Sequence, residues 1–257
     1  MRIFGPAFAM FVSLASAPAL ADDYNDWAGG YIGGHADIVW SETDATTDLD
    51  GSWLNGGLDS TDRAALLPLL NGGISDTLVS GGVTLGYNWQ FGALVTGLEI
   101  DISALGDTDQ HSVLLPSGAN QPYRVETHSD VPWLSTLLGR VGAGYDKTLF
   151  YATGGLAVGR HDYSQSIIQL ESPVYSFTET GSFSEIATGW ALGAGVEQQV
   201  SEHWNLRLDY LHVELGSNEA SSAGVCINGE PGCLPYTGSH EASVTMNMLK
   251  FGASYQF

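Results

Sequence analysis

The sequence predicts an all-β fold: an eight-stranded antiparallel up-and-down transmembrane β-barrel with long extracellular loops. Alternation of apolar and polar residues with a period of two recurs along the chain. Short and long connections between these segments follow one another strictly, and the number of segments is even. After the N-terminus no segment has the ~18 uninterrupted apolar residues of a membrane helix. A membrane protein without such a helix must be a closed barrel.

The N-terminus has the features of an export signal rather than of a folded segment. Arg2 supplies the charged region, Phe8 to Leu14 the short apolar core, and Ala19-Leu20-Ala21 the small-x-small cleavage site. We expect residues 1–21 to be a signal peptide and residues 22–257 to form the β-barrel domain. The mature protein is therefore expected outside the cytoplasm.

The charge balance excludes one class of partner. The chain has 8 Lys and Arg against 29 Asp and Glu, a formal net charge of −21. Nucleic acid needs clustered Lys and Arg, so it is excluded as a partner. Hydrophobic residues make up 44% of the chain, which is ample for a folded body. The 33 glycines disfavour a helical fold, because each costs about 1 kcal/mol in a helix interior.

The only cysteines, Cys226 and Cys233, lie in the segment CINGEPGC. The Asn-Gly and Pro-Gly pairs between them are turn signals, and two close cysteines in an exported chain favour a disulfide. Such a small ring contributes about 2–3 kcal/mol in the chain-entropy model. A zinc pair is the weaker alternative, because no histidine pair lies nearby at ligand spacing.

Eight strands are predicted near residues 28–41, 77–90, 92–105, 132–145, 148–161, 186–200, 203–216 and 243–257. Tight turns are predicted at Gln90-Phe91, Asp146-Lys147 and Ser201-Glu202. The connections at 42–76, 106–131, 162–185 and 217–242 are long and polar. Loops of this length are unusual inside a compact soluble domain, so the pattern favours a membrane barrel over a soluble β-sandwich.

The two faces of each predicted strand differ in chemistry. In 203–216, Leu206, Leu208 and Tyr210 alternate with Asn205, Arg207 and Asp209. Lipid offers no partner for a charge, so the charged faces must point into a barrel that side chains just fill. The expected lumen ion-pair network comprises Asp37, Glu99, Asp101, Arg140, Glu197, Arg207, Asp209 and Lys250, with His35 beside Asp37. The segment 149–160 is too weakly patterned for its faces to be assigned.

Aromatic residues cluster at the ends of the predicted strands. Trp40 and Trp133 lie at the long-loop end, and Trp89, Tyr145, Tyr151, Trp204, Tyr255 and Phe257 lie at the short-turn end or the terminus beside it. Two belts of amphipathic rings suit the two membrane–water interfaces, which predicts an aromatic girdle.

The first long loop contains two local patterns. DSTDRAALLPLL (59–70) predicts a short helix whose apolar residues cover the barrel mouth, with contact to a partner as the alternative. DATTDLDGS (44–52) faintly resembles a calcium loop but lacks the closing Glu, so a solvated loop is favoured. We expect no metal, cofactor-binding or catalytic residue.

Several segments together resemble one known family. WAGGYIGG (27–34), LGRVGAGYD (138–146), LFYATGGLAVG (149–159), GWALGAGVEQQV (189–200) and WNLRLDYLHVELG (204–216) resemble the Omp25/Omp31-type barrels of alphaproteobacteria, within the OmpA-like porin-family set. KFGASYQF (250–257) resembles their closing strand, whose final aromatic, here Phe257, is read by the barrel-assembly machinery. The resemblance covers most strands and is absent in the long loops.

The resemblance implies a place in the outer membrane, among its lipid and lipopolysaccharide, with both termini in the periplasm. Three functions stay open. The first is a structural and surface-interaction protein with a lumen filled by ion pairs, and the second is a narrow porin-like channel for small solutes or ions. The third, a lipid-modifying enzyme, would use loop residues such as His161, Ser164 and His240, but no motif groups them. The sequence identifies no extracellular ligand.

Overall fold

The computed structural model describes residues 26–54, 58–106, 111–114, 122–170, 177–226 and 236–257. The expected signal peptide, residues 1–21, lies outside this part of the chain and stays a prediction. So does the Cys226–Cys233 disulfide, because Cys233 also lies outside the described residues. In the described ranges, no helix has both the length and the apolar composition needed to cross a membrane.

The described residues form long antiparallel strands and one α-helix. The strands are β1 Gly29–Gly51, β2 Gly72–Phe91, β3 Leu94–Leu105, β4 His111–Leu114, β5 Tyr123–Asp130, β6 Trp133–Tyr145, β7 Thr148–Gln169, β8 Phe177–Gln199, β9 Trp204–Ala223, β10 Val225–Cys226 and β11 Tyr236–Gln256. A 3-10 turn at Ser52–Leu54 precedes the helix α1, Leu58–Leu70.

Eight of these strands close a ring in the order β1, β2, β3, β6, β7, β8, β9 and β11. The last strand returns to the first, with Gln256 opposite Tyr31 and Lys250 opposite Asp37. Every neighbouring pair in the ring is antiparallel. The predicted eight-stranded up-and-down barrel is confirmed, and closure leaves no free edge within the ring.

The tight connections lie together at one end of the barrel, which we call the short-turn end. Asp146-Lys147 forms the predicted turn, with a φ of 50° at Asp146. The turn predicted at Gln90-Phe91 is wrong by two residues, because β2 continues to Phe91 and the chain reverses at Gly92-Ala93. Gly92 has a φ of 65°, a conformation that glycine adopts without steric cost.

At the opposite, long-loop end the strands run far beyond their predicted limits. In β1, Thr43, Ala45, Thr47 and Leu49 are buried and alternate with exposed residues up to Gly51. The outward residues here are polar because they face water rather than lipid. The sequence of this segment was therefore interpreted as a loop. Most described residues of the four predicted loops prove to be strand.

The wall separates into two sheets at the long-loop end. The β2–β3 ladder runs up to the pair Ser80–Leu105, and the β8–β9 ladder to Gly189–Leu215. Beyond them, the described pairings join β9, β11, β1 and β2 on one side and β4, β5, β7, β8 and β10 on the other.

The helix α1 fills the space between these two sheets, as the sequence predicted for 59–70. Leu66 and Leu70 are buried in one apolar cluster, whose other buried members are Leu49, Trp53, Tyr123, Val125 and Ile167. The cluster joins residues of β1, β5 and β7 and covers the lumen at the long-loop end.

Candidate functional site

The candidate site is the barrel lumen, and strand alternation places each charged side chain in it. All eight residues of the predicted network are buried, each with 9% or less of its surface exposed: Asp37, Glu99, Asp101, Arg140, Glu197, Arg207, Asp209 and Lys250. Their sequence neighbours, such as Leu98, Ile100 and Leu208, are exposed on the outer surface.

A first ionic cluster surrounds two arginines. Arg207 approaches both oxygens of Glu99, with Nη1–Oε2 at 3.0 Å and Nη2–Oε1 at 3.1 Å, and its Nε donates to Asp209 Oδ2 at 3.0 Å. Arg140 Nη2 donates to Glu197 Oε2 at 3.0 Å. Because a guanidinium matches a carboxylate in shape, this paired geometry is stronger and more directional than single contacts.

Two tyrosines complete the first ionic cluster. Tyr31 donates from its hydroxyl to Glu99 Oε2 at 2.6 Å and accepts from Arg140 Nη1 at 2.8 Å. Tyr151 donates to Asp209, and the guanidinium carbon of Arg140 lies 3.9 Å from the centre of its ring. The assignment of Tyr151 to the aromatic girdle was wrong: the ring faces inward and is 5% exposed. The weak pattern of 149–160 concealed which face of β7 it occupies.

A second ionic cluster joins strands β1, β3 and β11. Lys250 Nζ lies 2.9 Å from Asp101 Oδ1. His35 lies between two carboxylates, with Nδ1 2.7 Å from Asp37 Oδ1 and Nε2 2.7 Å from Asp101 Oδ2. The Ser80 hydroxyl donates to the other oxygen of Asp37, Oδ2. The hydroxyls of Thr84 and Ser103 also donate to Asp101, at Oδ2 and Oδ1.

The position of His35 reduces the surplus of carboxylates over cations in the predicted network. Both of its contacts are favourable when each ring nitrogen carries a proton, that is, when the ring is an imidazolium. The second cluster then holds two cations, Lys250 and His35, against two carboxylates. The first cluster holds two arginines against three carboxylates, with two tyrosine hydroxyls donating to the carboxylates.

Glycine on the inner face provides the room for these long side chains. A Cβ on Gly86 would lie 2.3 Å from the Tyr31 ring, and one on Gly195 would lie within 2.6 Å of the Tyr151 ring. Real carbon atoms do not approach so closely, so the neighbouring ring would have to move.

The substitution Gly86→Ala should therefore lower the free energy of unfolding by about 1–3 kcal/mol, the usual cost of overpacking. The added methyl displaces Tyr31 from Glu99 and Arg140. The control is Gly34→Ala on the outer face, where the nearest atom to a Cβ is 3.8 Å away. Urea unfolding of both variants in detergent measures the difference, and equal midpoints would contradict a filled lumen.

An apolar layer closes the lumen on the long-loop side of the ionic clusters. Leu211, Val213 and Leu215 continue the inward face of Arg207 and Asp209 along β9, and Met246 and Met248 continue that of Lys250 along β11. With Val39, Leu134, Leu138 and Val244 they belong to one buried cluster, and each of these nine side chains has 4% or less of its surface exposed. The sequence analysis missed this layer.

The short-turn side of the lumen is closed as well. Trp27, Val95, Leu149 and Tyr151 form a buried cluster beneath the ionic groups. The backbone N–H of Trp27 donates to Gln90 Oε1 at 2.6 Å, which fixes the entering chain across this opening. The ionic clusters therefore lie between two apolar layers.

A polar layer lies between the apolar layer and the α1 cluster. His240 Nδ1 lies 3.1 Å from both Thr47 Oγ1 and Gln165 Oε1, and its Nε2 lies 2.9 Å from Ser222 Oγ. Burial lowers the pKa of His240 to about 4. His161, 3.1 Å from Ser129, is also buried, and burial lowers its pKa to about 4 against the opposing effect of Asp162.

The lowered pKa values of these two histidines predict that the folded protein loses stability in acid. An unfolded histidine has a pKa near 6.5, so the unfolded state binds more protons between pH 6.5 and 4 and stability falls as the pH falls. From pH 7.5 to 5.5 the unfolding constant should rise about tenfold for each histidine. The variant His161→Gln/His240→Gln should lose most of this dependence in urea titrations, whereas His203→Gln, at an exposed position, should retain it.

The residues considered for an enzyme do not assemble. His161 and Ser164 lie on opposite faces of β7, because their spacing is odd. His240 contacts Ser222, but that hydroxyl donates to the buried Glu179 at 2.6 Å rather than standing free as a nucleophile. Within the described ranges no three His, Cys, Asp or Glu residues form a group that could hold a metal ion.

The outer surface carries aromatic rings at both ends. Trp89, Tyr145, Trp204 and Phe257 are exposed at the short-turn end, and Tyr255 packs between Trp204 and Phe257 with ring centres 5.5 and 5.4 Å away. Trp40 is exposed at the long-loop end, and Trp133 is half-buried there. Trp190, also exposed, belongs to this end and was not included in the predicted girdle.

A closed antiparallel barrel with an aliphatic outer band, aromatic residues at both ends of that band and a charged lumen defines an integral outer-membrane β-barrel protein. A family model described as an outer membrane protein beta-barrel domain matches residues 7–257, and the chain belongs to this family.

The chain is 31% identical over 253 residues to the 31 kDa outer-membrane immunogenic protein of Brucella melitensis, covering 96% of this chain and 90% of that protein. It is 30% identical over 139 residues to the 22 kDa outer membrane protein of Rhizobium leguminosarum, covering 54% of each. The crystal structure of OprG from Pseudomonas aeruginosa aligns with a TM-score of 0.42 and 15% identity, over 90% of this chain and 97% of that one. The predicted resemblance and the outer-membrane location are confirmed.

Proposed function

We propose that this protein is a non-conducting structural and surface-interaction protein of the outer membrane. The observation that carries the proposal is the apolar layer around Val213, Met246 and Met248, whose side chains have no exposed surface. Ions cross such a layer only by leaving water, and no charged side chain replaces the water within it. The layer supports a sealed lumen rather than the alternative of a narrow channel.

The ionic clusters then serve the fold. Each arginine connects strands that are distant in sequence: Arg140 of β6 binds Glu197 of β8, and Arg207 of β9 binds Glu99 of β3. Buried charges with well-placed partners fix which groups meet across the lumen. A rigid barrel of this kind holds the two sheets and α1 clear of the membrane, where they are available for contact.

The parent protein should show no single-channel steps above background in planar bilayers. A trimeric general porin measured in the same membranes is the positive control, and protein-free detergent is the negative control. Folding of the inserted protein is checked by its heat-modifiable electrophoretic mobility. Reproducible channels from the folded protein would reject the sealed lumen and favour the porin-like alternative.

The remaining expectations form part of the same proposal. The long-loop end faces the exterior and both termini face the periplasm, the aromatic girdle marks the two interfaces, and outer-membrane lipid and lipopolysaccharide surround the barrel. The C-terminal strand, with Phe257 exposed at its end, engages the barrel-assembly machinery. The protein acts without catalysis or cofactor, after removal of residues 1–21. Cys226 and Cys233 form a loop disulfide.

A further inference from the structure

The outer surface of four neighbouring strands changes character in three successive tiers towards the long-loop end. Strand register places the outward residues side by side on β2, β1, β11 and β9. The first tier is largely apolar: Val79, Ile38, Leu249 and Tyr210. The second is amphipathic: Thr77, Trp40, Asn247 and His212. The third is polar and acidic: Ser75, Glu42, Thr245 and Glu214. The second tier therefore lies where hydrocarbon gives way to headgroups.

A hydrogen-bonded group occupies this second tier. The amide oxygen of Asn247 accepts from Tyr210 Oη at 2.7 Å and from His212 Nδ1 at 2.9 Å. In this arrangement two polar atoms, Asn247 Nδ2 and His212 Nε2, have no hydrogen-bond partner among the described residues. One is a donor and the other an acceptor. Polar atoms fixed in this way on a membrane-facing surface need a polar partner from the lipid.

A groove adjoins this group. Its volume is about 460 Å³, and its lining includes Trp40, Glu42, Thr77 and Asn247. Sites for small ligands have volumes of about 300–1,000 Å³, so the groove can hold a sugar headgroup. Trp40 presents an indole beside the groove, and Trp190 lies against His212 with ring centres 5.3 Å apart.

We propose that this surface binds the acylated sugar headgroup of a glycolipid in the outer leaflet. Sugar hydroxyl and amide groups match the donor of Asn247, the acceptor of His212 and the carboxylates of Glu42 and Glu214. The apolar faces of a sugar ring pack on indoles, and acyl chains lie along the first tier. The inference rests on the proposed orientation, with the long-loop end outside.

Binding is tested with the folded full chain in a phosphocholine detergent, which carries no sugar. The probe is a fluorescently labelled rough-type lipopolysaccharide, followed by anisotropy. Asn247→Ala and Trp40→Leu should each weaken binding about tenfold, the loss expected when the amide or the stacking surface is removed. The matched control is Trp133→Leu, an aromatic position at the same end on β6, four strands away from β11 in the ring. It should bind as the parent does.

Unlabelled phosphatidylglycerol and phosphatidylethanolamine serve as competitors. The proposal predicts that neither displaces the probe at concentrations where unlabelled lipopolysaccharide does. Parental affinity in Asn247→Ala and Trp40→Leu, an equal loss in Trp133→Leu, or equal displacement by a phospholipid would each overturn it. Heat-modifiable mobility verifies that every variant is folded. Proteinase K treatment of intact cells tests the orientation, and bilayer conductance tests the sealed lumen, so failure of the proposed function is detected separately.

Discussion

Arg207→Leu should lower the free energy of unfolding by about 3–5 kcal/mol, the loss expected when one partner of a buried ionic cluster is removed. The guanidinium contacts Glu99 through two nitrogens and Asp209 through a third. Leucine would leave three carboxylates, those of Glu99, Glu197 and Asp209, facing Arg140 alone in the first cluster.

The measurement is urea unfolding of the refolded protein in detergent or lipid vesicles, followed by electrophoretic mobility. Lys147→Leu is the control, since it removes the same charge at an exposed turn where no salt bridge is described. Outer-membrane fractionation should find both variants in place, because neither change touches the outer surface of the strands. Parental stability in Arg207→Leu would show that the ionic clusters do not hold the barrel together.

Val213→Asp should also lower the free energy of unfolding by about 3–5 kcal/mol, because it places a charge inside a buried apolar cluster. Val213 has no exposed surface and lies opposite Met246 on β11 and Ala191 on β8. The ionic clusters cannot supply a cation for the new carboxylate, since the first cluster already holds three carboxylates against two arginines, Arg140 and Arg207. Water must enter the layer, or the strands must separate.

The control is Ser217→Asp, four residues further along β9 at an exposed position. It adds the same charge to the same strand in contact with water, and its unfolding midpoint should stay close to that of the parent. If Val213→Asp unfolds like this control, the apolar layer is hydrated in the native protein, and the argument for a sealed lumen fails.

Part of the apolar layer was visible in the sequence but was not recognised. The inward face of 205–215 changes from Arg207 and Asp209 to Leu211, Val213 and Leu215 without losing its period of two. Over this stretch the outward residues are Tyr210, His212 and Glu214, so the apolar residues change from the outer face to the inner one and alternation alone no longer marks the lumen. The signal available in the sequence was that the inward face changes from charged to apolar residues while the period of two continues.

The four long segments between the predicted strands were wrongly predicted to be loops. Alternation continues in 42–51 and in 123–130, but the outward residues are polar. Strands in lipid and strands in water therefore have opposite outer faces in the same protein. Only the pairing of β1 with β2 and β11 shows that 42–51 continues the first strand, and only the pairing of β5 with β7 shows that 123–130 is a strand.

The sequence by itself determined the class of fold, the location and the inward direction of the eight predicted charges. Those properties depend on which solvent each face of a strand meets. Because lipid excludes charge strongly, the alternation within a single strand is enough to show which face points into the lumen. The tertiary structure alone decided which charges meet. Tyr31, Glu99, Arg140 and Arg207 come from four strands, and their contacts depend on the register with which the ring closes. The tertiary structure also showed that Tyr151 points into the lumen and that an apolar layer crosses it. Both features depend on the side chains of the strands on the opposite side of the barrel.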